Sequence, residues 1–172
     1  MSETFAFQPE EIVRRLVNAG VMFVIVGGLA ARAHGSTSLT EDLDICFDRD
    51  RDNLDRLAAI LADVAAVRRG LPPDSPKMPP LDARTLRASS LFTLLTRFGE
   101  FDLLASPDPG FDYPTLLRGS VEGDIGGVPV RFAGLDDLIA MKRAAGRPKD
   151  LIELEVLGAL REEIDRRGRR GR

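Results

Sequence analysis

The sequence predicts an α/β (or α+β) fold in which a mixed β-sheet is flanked by helices and the C-terminal part is helical. Short apolar runs typical of strands alternate with amphipathic stretches along residues 1–134. Two segments with helical periodicity then follow each other over 135–172. A chain of 172 residues, 44% of them hydrophobic, can bury a sizeable core. We therefore expect a sheet-containing core over 1–134, completed by a helical segment over 135–172.

The first half of the chain is predicted to alternate helices with strands. Ile12, Leu16 and Ala19 recur at helical spacing, and Gly20 can end that helix. The run at 21–26 is short, apolar and rich in β-branched residues, which is typical of a buried strand. The predicted elements are a helix over 8–19, a strand over 21–26, a short helix over 29–33, a strand over 43–47 and a helix over 48–64.

The second half is predicted to contain two strand pairs followed by two helices. Five prolines fall within 69–82, so this stretch is expected to be a loop. Turns at Gly99-Glu100 and at Gly126-Gly127 would separate the strands of each pair. The predicted elements are strands over 91–97 and 101–105, strands over 121–125 and 128–132, and helices over 135–145 and 148–166.

Composition excludes several classes of protein. The single cysteine, Cys46, permits neither an internal disulfide nor a cysteine-rich zinc site. The N-terminal MSETFAFQPEE lacks the basic-then-apolar pattern of a signal peptide, and the longest apolar run, 21–26, is too short to cross a bilayer. We therefore expect a cytoplasmic protein with no membrane partner.

Charge is distributed unevenly along the chain. The net charge is −3, but residues 166–172 hold five arginines and no acid, so the remainder carries −8. A basic tail of this kind is able to contact RNA phosphates. The alternative is a solvated helix end without a partner.

Asp42 and Asp44 form the first chemically informative pattern. Residues two apart in a strand lie roughly 6.6 Å apart on one face, so both carboxylates would point the same way. Leu43, Ile45 and Phe47 would then point into the core. Neighbouring carboxylates raise each other's pKa unless a cation lies between them, and Mg²⁺ prefers oxygen ligands. The alternative is a pair of solvated acids at a strand start.

Gly27 and Gly28 make the metal interpretation more specific. They follow a buried strand and precede a helix, and the absence of Cβ lets backbone N–H groups approach a phosphate. A simple strand-ending turn is the alternative for the glycines alone. A phosphate-binding turn followed 14 residues later by a metal-binding pair indicates a nucleoside triphosphate site.

Two polar residues interrupt the apolar faces of the C-terminal helices. Leu135, Leu138 and Lys142 fall at positions i, i+3 and i+7, so they lie on one apolar face of the predicted helix. Lys142 either packs its aliphatic part there with the ammonium group in solvent, or its ammonium group contacts an anion. Asp150 lies in the first turn of the last helix, where a carboxylate favours the helix dipole. It also shares a face with Leu154 and Leu157, which would turn it inward.

Two segments resemble a known group of enzymes. They are VIVGGLAARAHGSTSLTEDLDI at 24–45 and LDDLIAMKRAAGRPKDLIELEVL at 135–157. Their pattern resembles the nucleotidyltransferase superfamily with the DNA polymerase β-like fold, and is most similar to AbiEii-type and MenT-like toxin nucleotidyltransferases. The resemblance implies a mixed sheet flanked by helices, Mg²⁺ or Mn²⁺ as cofactor and an NTP as substrate.

The resemblance also implies roles for individual residues. Gly27 and Gly28 would bind phosphates, and Asp42 and Asp44 would bind the metal. The superfamily often adds a third carboxylate on a neighbouring strand, for which Asp102 is the candidate, as second-metal ligand or general base. Glu100 is the alternative to Asp102, and an edge-strand acid facing water is the other interpretation of this position.

The resemblance further places Lys142 on the triphosphate and Asp150 beside it, holding the lysine or the nucleotide. In the loop before the aspartates, Ser36, Thr37, Ser38 and Thr40 are candidates for nucleotide binding through their hydroxyls. Ser38 stands where family members often carry an arginine, so one positive charge is missing there. The sole histidine, His34, is interpreted as a helix end rather than a metal ligand.

The predicted function is transfer of a nucleoside monophosphate from an NTP to an acceptor hydroxyl, with release of pyrophosphate. If the toxin-type resemblance holds, the acceptor is tRNA or another RNA, and an antitoxin protein is expected as partner. A small-molecule acceptor such as an aminoglycoside is the second hypothesis. A non-catalytic nucleotide-binding or antitoxin-like module is the third.

Overall fold

A computed structural model describes residues 6–70 and 78–170 of the chain. Within these ranges the helices are α1 (Pro9–Asn18), α2 (Gly27–Ala33), α3 (Arg51–Asp63), α4 (Ala83–Ala88), α5 (Tyr113–Gly119), α6 (Leu135–Ala145) and α7 (Pro148–Arg170). The strands are β1 (Phe23–Val26), β2 (Asp42–Phe47), β3 (Val67–Arg68), β4 (Leu91–Thr96), β5 (Gly99–Leu104), β6 (Val121–Ile125) and β7 (Val128–Phe132).

All seven of these strands join one mixed sheet. Their order is β3-β4-β5-β2-β1-β7-β6. The β2–β5 and β1–β7 pairs are parallel, and the other neighbours are antiparallel. With helices packed around this sheet and two helices ending the chain, the predicted mixed α/β fold class is confirmed.

The topology brings three separate segments to one edge of the sheet. Because β1 runs antiparallel to β2, the last residue of β1, Val26, lies opposite Asp44 near the start of β2. Because β5 runs parallel to β2, Asp102 lies opposite Asp44 on the other side. The glycines that follow β1 therefore begin next to the paired aspartates.

The alternation along β2 separates the core from the cleft. Leu43, Ile45 and Phe47 are completely buried, as predicted, whereas Asp42 and Asp44 are only partly buried on the other face. Helix α1 contributes Ile12 and Leu16 to the same hydrophobic core. Burying each such side chain contributes roughly 1.5–3 kcal/mol, so the strand that carries the aspartates is held firmly by its other face.

Three short elements were not predicted from the sequence. They are β3, α4 and α5, of two, six and seven residues. Both helices begin with an Asp-x-x-Thr pattern, in which Asp82 accepts from the Thr85 N–H and Asp112 from the Thr115 N–H. This N-cap pattern is a recognisable start signal. Of the predicted proline-rich loop over 69–82, residues 71–77 lie outside the described residues.

Several boundaries also differ from prediction: β1 begins at Phe23 rather than 21, α2 at Gly27 rather than 29, and α3 at Arg51 rather than 48. The β4–β5 turn is at Arg97-Phe98, and Gly99 already belongs to β5, so the turn predicted at Gly99-Glu100 was wrong by two residues. Helix α7 continues to Arg170, beyond the predicted end near 166. Glu163 pairs with Arg166 and Arg167 one turn later, which supports this extension. Among the described helices, none combines the length and hydrophobicity needed to cross a membrane.

Candidate active site

A cleft of about 870 Å³ opens at the sheet edge where β1 ends and β2 and β5 begin. Helix α6 and the start of α7 form its opposite wall. The cleft brings together eight residues singled out from the sequence, which are Gly27, Gly28, Thr40, Asp42, Asp44, Glu100, Asp102 and Lys142. Residues more than 110 positions apart thus face one space.

Three carboxylates converge in this cleft. Asp42, Asp44 and Asp102 each offer one oxygen, and these oxygens all lie within 4.8 Å of one another. Asp42 and Asp44 share a face of β2, and Asp102 is the register partner of Asp44 on β5. Glu100, the sequence alternative to Asp102, pairs with Asp42 in register but lies outside this three-oxygen cluster.

The cluster carries more negative charge than the protein alone stabilises. Burial raises the pKa of Asp44 to about 7, and the charges of Asp42 and Asp102 contribute to the rise, while Lys142 and Arg69 oppose it. Burial also raises the pKa of Asp102, against the opposing charge of Arg69. A group of acids that resist ionisation together would be stabilised by a bound cation.

The donor set suits a hard divalent cation. Mg²⁺ binds oxygen ligands at about 2.0–2.1 Å in an octahedron, so its ligand oxygens lie about 3–4 Å from one another. The spacing of the three carboxylate oxygens is compatible with that arrangement. Among described residues the cluster contains no sulfur or imidazole donor, which favours Mg²⁺ or Mn²⁺ over softer metals.

Gly27 permits the close approach of α2 to Asp44. Its φ is +64°, and a Cβ at this position would overlap the Asp44 carboxylate. Gly28 is similarly restricted, since a Cβ there would lie 2.6 Å from Thr40 Oγ1. Thr40 in turn donates to Asp42 Oδ1 over 2.7 Å. The double glycine therefore fits the first turn of α2 against both metal-ligand candidates.

Replacing Gly27 with alanine is expected to weaken divalent-cation binding and to destabilise the protein more than Gly20→Ala does. Gly20 has a similar φ of +69°, but a Cβ added to it would meet no atom within 4 Å. Both variants carry the backbone strain, about 1–3 kcal/mol, and only Gly27→Ala displaces Asp44. Titrating Mn²⁺ into each variant measures the difference; equal Mn²⁺ affinities would contradict a role of Gly27 in placing Asp44.

Lys142 and Asp150 meet where α6 and α7 join. Lys142 Nζ donates to Asp150 Oδ1 over 3.1 Å and also pairs with Glu153. The backbone N–H and Nε of Arg147 donate to Asp150 Oδ2 over 3.2 and 3.0 Å. Asp150 is fully buried. It therefore both caps the start of α7 and holds Lys142 at the cleft, which combines the two roles considered from sequence.

These contacts set the ionisation of the pair. Burial alone would lower the pKa of Lys142, but hydrogen bonds to Glu153 and Asp150 outweigh it and the pKa lies above its usual value. Burial would raise the pKa of Asp150, but hydrogen bonds from Lys142 and Arg147 keep it below its usual value. Both groups are charged at neutral pH, and the ammonium lies in the cleft wall.

Arg69 is a site residue that sequence reasoning missed. Its Nη2 donates to both oxygens of Asp102, at 2.6 and 2.7 Å, and its Nη1 pairs with Glu100. Arg69 lies just after β3, which is itself only two residues long. Neither periodicity nor a local motif marks it, and only the pairing of β3 with β4 brings it beside β5.

The loop before β2 differs from expectation in detail. Leu39, Thr40 and Glu41 line the cleft, whereas Ser36, Thr37 and Ser38 do not. The Ser36 hydroxyl instead accepts from the Ser38 N–H. His34 forms the end of α2, and its Nε2 lies 2.8 Å from the Ala133 carbonyl oxygen. Thr40 is thus the hydroxyl of this loop that faces the carboxylates.

Solved structures with the same architecture include nucleotidyltransferases. The antibiotic-resistance factor ANT(2'')-Ia in solution is 18% identical, with 92% of each chain covered and a TM-score of 0.53. The chain has a nucleotidyltransferase-like fold. ANT(2'')-Ia in complex with adenylyl-2''-tobramycin is 19% identical, with 91% of this chain and 94% of the other covered and a TM-score of 0.51.

A crystal structure from Thermotoga maritima extends the comparison. This protein, described as a candidate nucleotidyltransferase, is 16% identical to the chain. The alignment covers 96% of this chain and 99% of the other, with a TM-score of 0.50. No protein-family model matches the sequence, and no curated protein sequence matches it. The likeness therefore concerns the fold along nearly the whole chain.

Proposed function

We propose that the protein is a metal-dependent nucleotidyltransferase that moves a nucleoside monophosphate from an NTP to an acceptor hydroxyl and releases pyrophosphate. The observation that carries this proposal is the convergence of three carboxylate oxygens within 4.8 Å, in the cleft that also contains Gly27, Gly28 and Lys142. The nucleotidyltransferase-like fold supports it.

Asp42 and Asp44 would hold Mg²⁺ or Mn²⁺, and Asp102 would be a ligand of a second ion. The bound cation would neutralise phosphate charge and align the α-phosphorus with the acceptor, which is the main requirement of this reaction class. Asp102 would also accept the proton of the attacking hydroxyl. Burial raises the pKa of Asp102 above its usual value, which makes this carboxylate a stronger base for that proton.

The triphosphate would lie between α2 and α6. No side chain caps the first turn of α2, where Val26 is the N-cap residue, so its backbone N–H groups are available to phosphate oxygens. Lys142 would contact the β- or γ-phosphate from the opposite wall, exchanging part of its pairing with Glu153 for the nucleotide. In this arrangement the segment 135–172 completes the site, with Asp150 positioning Lys142.

The charge of the cleft favours a small cationic acceptor. The carboxylates along it are Glu41, Asp42, Asp44, Glu100, Asp102, Asp108 and Glu153. Among described residues, the basic side chains lining it are Lys142 and Arg147. Three of these acids are assigned to metal, Glu100 and Glu153 are paired with Arg69 and Lys142, and Glu41 and Asp108 leave negative charge for the acceptor. The metal offsets the charge of the triphosphate, whereas RNA phosphates beside Glu41 and Asp108 would be repelled.

An RNA acceptor is the second candidate, and the five arginines of 166–172 favour it. In that case the chain would act as an AbiEii-type or MenT-like toxin on tRNA, with an antitoxin as partner. However, Arg166 follows the cleft residue Glu153 by 13 positions on one helix, a distance of about 20 Å. The tail would bind RNA away from the reacting atoms.

The test is nucleotide transfer in a cell extract separated into small-molecule, RNA and protein fractions. Each α-labelled NTP is supplied with Mg²⁺, and an Asp42→Ala/Asp44→Ala double variant is the control. We expect label in the small-molecule fraction, absent with the double variant. Equal labelling by both proteins would contradict the proposal.

A truncated chain lacking 166–172 separates the two acceptors. Small-molecule labelling should persist after truncation. RNA labelling that disappears with the tail would instead favour the toxin-type function. A metal-dependent thermal shift with NTP, without any labelled product, would indicate the non-catalytic nucleotide-binding module.

A further inference from the structure

Arg69 occupies the edge of the Asp102 carboxylate between its two oxygens. A single nitrogen, Nη2, lies 2.6 and 2.7 Å from the two carboxylate oxygens, which places it on the bisector of the carboxylate. A divalent cation drawn to either oxygen would compete with the guanidinium for it, because both oxygens already accept from Nη2. The Asp102 side chain is 13% exposed and lines the cleft.

A second acid lies ready to receive the guanidinium. Arg69 also pairs with Glu100, whose side chain is 44% exposed and which lies two residues before Asp102 on the same face of β5. The Arg69 backbone N–H is anchored to the Thr93 carbonyl oxygen over 2.9 Å, so its position beside β4 is fixed. A rotation of the Arg69 side chain alone can therefore break its hydrogen bonds to Asp102 while it stays paired with Glu100.

We propose that Arg69 is an internal cation that blocks the second metal position at Asp102 until a nucleotide is bound. In the free protein the guanidinium neutralises Asp102, and a divalent cation binds only between Asp42 and Asp44. When a nucleotide adds negative charge to the cleft, a second cation displaces Arg69, which remains on Glu100. This inference rests on the metal site of the proposed function.

The block has a chemical consequence. While Nη2 bonds both oxygens of Asp102, this carboxylate is unavailable to accept a proton from an acceptor hydroxyl. Departure of Arg69 would end this double hydrogen bond only after the nucleotide is in place, and one oxygen of Asp102 would then accept the proton while the other holds the second cation. Arg69 thus would act as a positioning residue: it would allow the second cation to bind at Asp102 only after the nucleotide is bound.

The experiment counts Mn²⁺ ions bound to the full chain by electron paramagnetic resonance, without and with a non-hydrolysable NTP analogue. Wild type is expected to bind one ion without nucleotide and two with it. Arg69→Met is expected to bind two ions without nucleotide, with the second at least tenfold tighter than in wild type. Arg68→Met is the matched control, since Arg68 donates to the Pro79 carbonyl oxygen outside the cluster.

Glu100→Gln provides an opposite variant. This variant removes the negative charge to which Arg69 would move, so Arg69 should bind Asp102 more tightly. With nucleotide bound, the affinity for the second Mn²⁺ ion should therefore fall at least tenfold. Circular dichroism checks the folding of both variants. Equal second-ion affinities in wild type, Arg69→Met and Glu100→Gln would overturn the inference about Arg69. Absence of any bound Mn²⁺ in wild type, with and without nucleotide, would instead overturn the proposed metal site.

Discussion

An Asp44→Asn variant is expected to lose nucleotidyl transfer by about 10³-fold while becoming more resistant to unfolding in the absence of divalent cations. Asp44 lies at the centre of the carboxylate cluster, beside Asp42 on its own strand and Asp102 on the next. Its charge serves metal binding but is unfavourable in the metal-free protein. A residue with a purely structural role would lose stability on substitution.

The gain in stability should depend on pH. The pKa of Asp44 in the folded protein is raised to about 7 from a usual value near 4, chiefly by burial. Between these values the unfolded chain releases a proton that the folded protein retains, so the wild-type free energy of unfolding falls as pH rises towards 7. Asp44→Asn has no such proton to retain, so its free energy of unfolding does not fall in this way. Above pH 7 it should exceed the wild-type value by at most about 4 kcal/mol.

Urea denaturation with EDTA at pH 5 and pH 8 measures the effect. Asp55→Asn is the matched control, because Asp55 is exposed on α3, away from the cleft. The control is expected to change the free energy of unfolding by less than about 0.5 kcal/mol at either pH. An Asp44→Asn protein that is less stable than wild type at pH 8 without metal would contradict the electrostatic account of the cluster.

Asp150→Ala is expected to lower the free energy of unfolding by about 3–5 kcal/mol at neutral pH. The fully buried carboxylate accepts from Lys142 and from the backbone and side chain of Arg147. Without this carboxylate the Arg147 backbone N–H loses its hydrogen-bond acceptor at the start of α7. Lys142 keeps only its ion pair with Glu153. Since Lys142 then loses its fixed position at the cleft, NTP affinity should fall as well.

The pH dependence of this second effect has the opposite sign. Although burial opposes the change, hydrogen bonds from Lys142 and Arg147 hold the pKa of Asp150 below its usual value. Its stabilisation is therefore present above the unfolded-state pKa and is lost as pH falls through the lower folded-state value. Asp136→Ala is the control, as this exposed acid pairs with Arg161 at the surface and should cost less than about 1 kcal/mol. If Asp150→Ala and Asp136→Ala lower the free energy of unfolding by similar amounts at pH 7, burial of Asp150 does not make its ion pairs more stabilising than a surface pair.

The sequence allowed the larger elements and the metal-ligand candidates to be predicted because their signals are local. The alternation around Asp42 and Asp44 and the apolar stripe that includes Lys142 depend only on residues a few positions apart. Helix α6 was predicted with the bounds that the structure gives. The position of Asp102 was inferred only through the resemblance, and the register of β2 with β5 brings it next to Asp44.

Other features depend on pairings that no local pattern records. Arg69 lies 33 positions before Asp102, and a two-residue strand brings them together. Ser36, Thr37 and Ser38 lie outside the cleft because the Ser38 N–H donates to the Ser36 hydroxyl and closes a turn there. The next hydroxyl along the loop, that of Thr40, donates to Asp42. By contrast, α4 and α5 begin with local N-cap patterns that are visible in the sequence and that predict both helices.

The most direct test of the central claim is a crystal structure of the full chain with Mn²⁺ and a non-hydrolysable NTP analogue, using anomalous scattering to locate the metal. We expect Mn²⁺ about 2 Å from carboxylate oxygens of Asp42 and Asp44, with the triphosphate extending from the metal towards Gly27-Gly28. A nucleotide bound elsewhere, or Mn²⁺ density absent from these carboxylates at saturating concentrations, would contradict it.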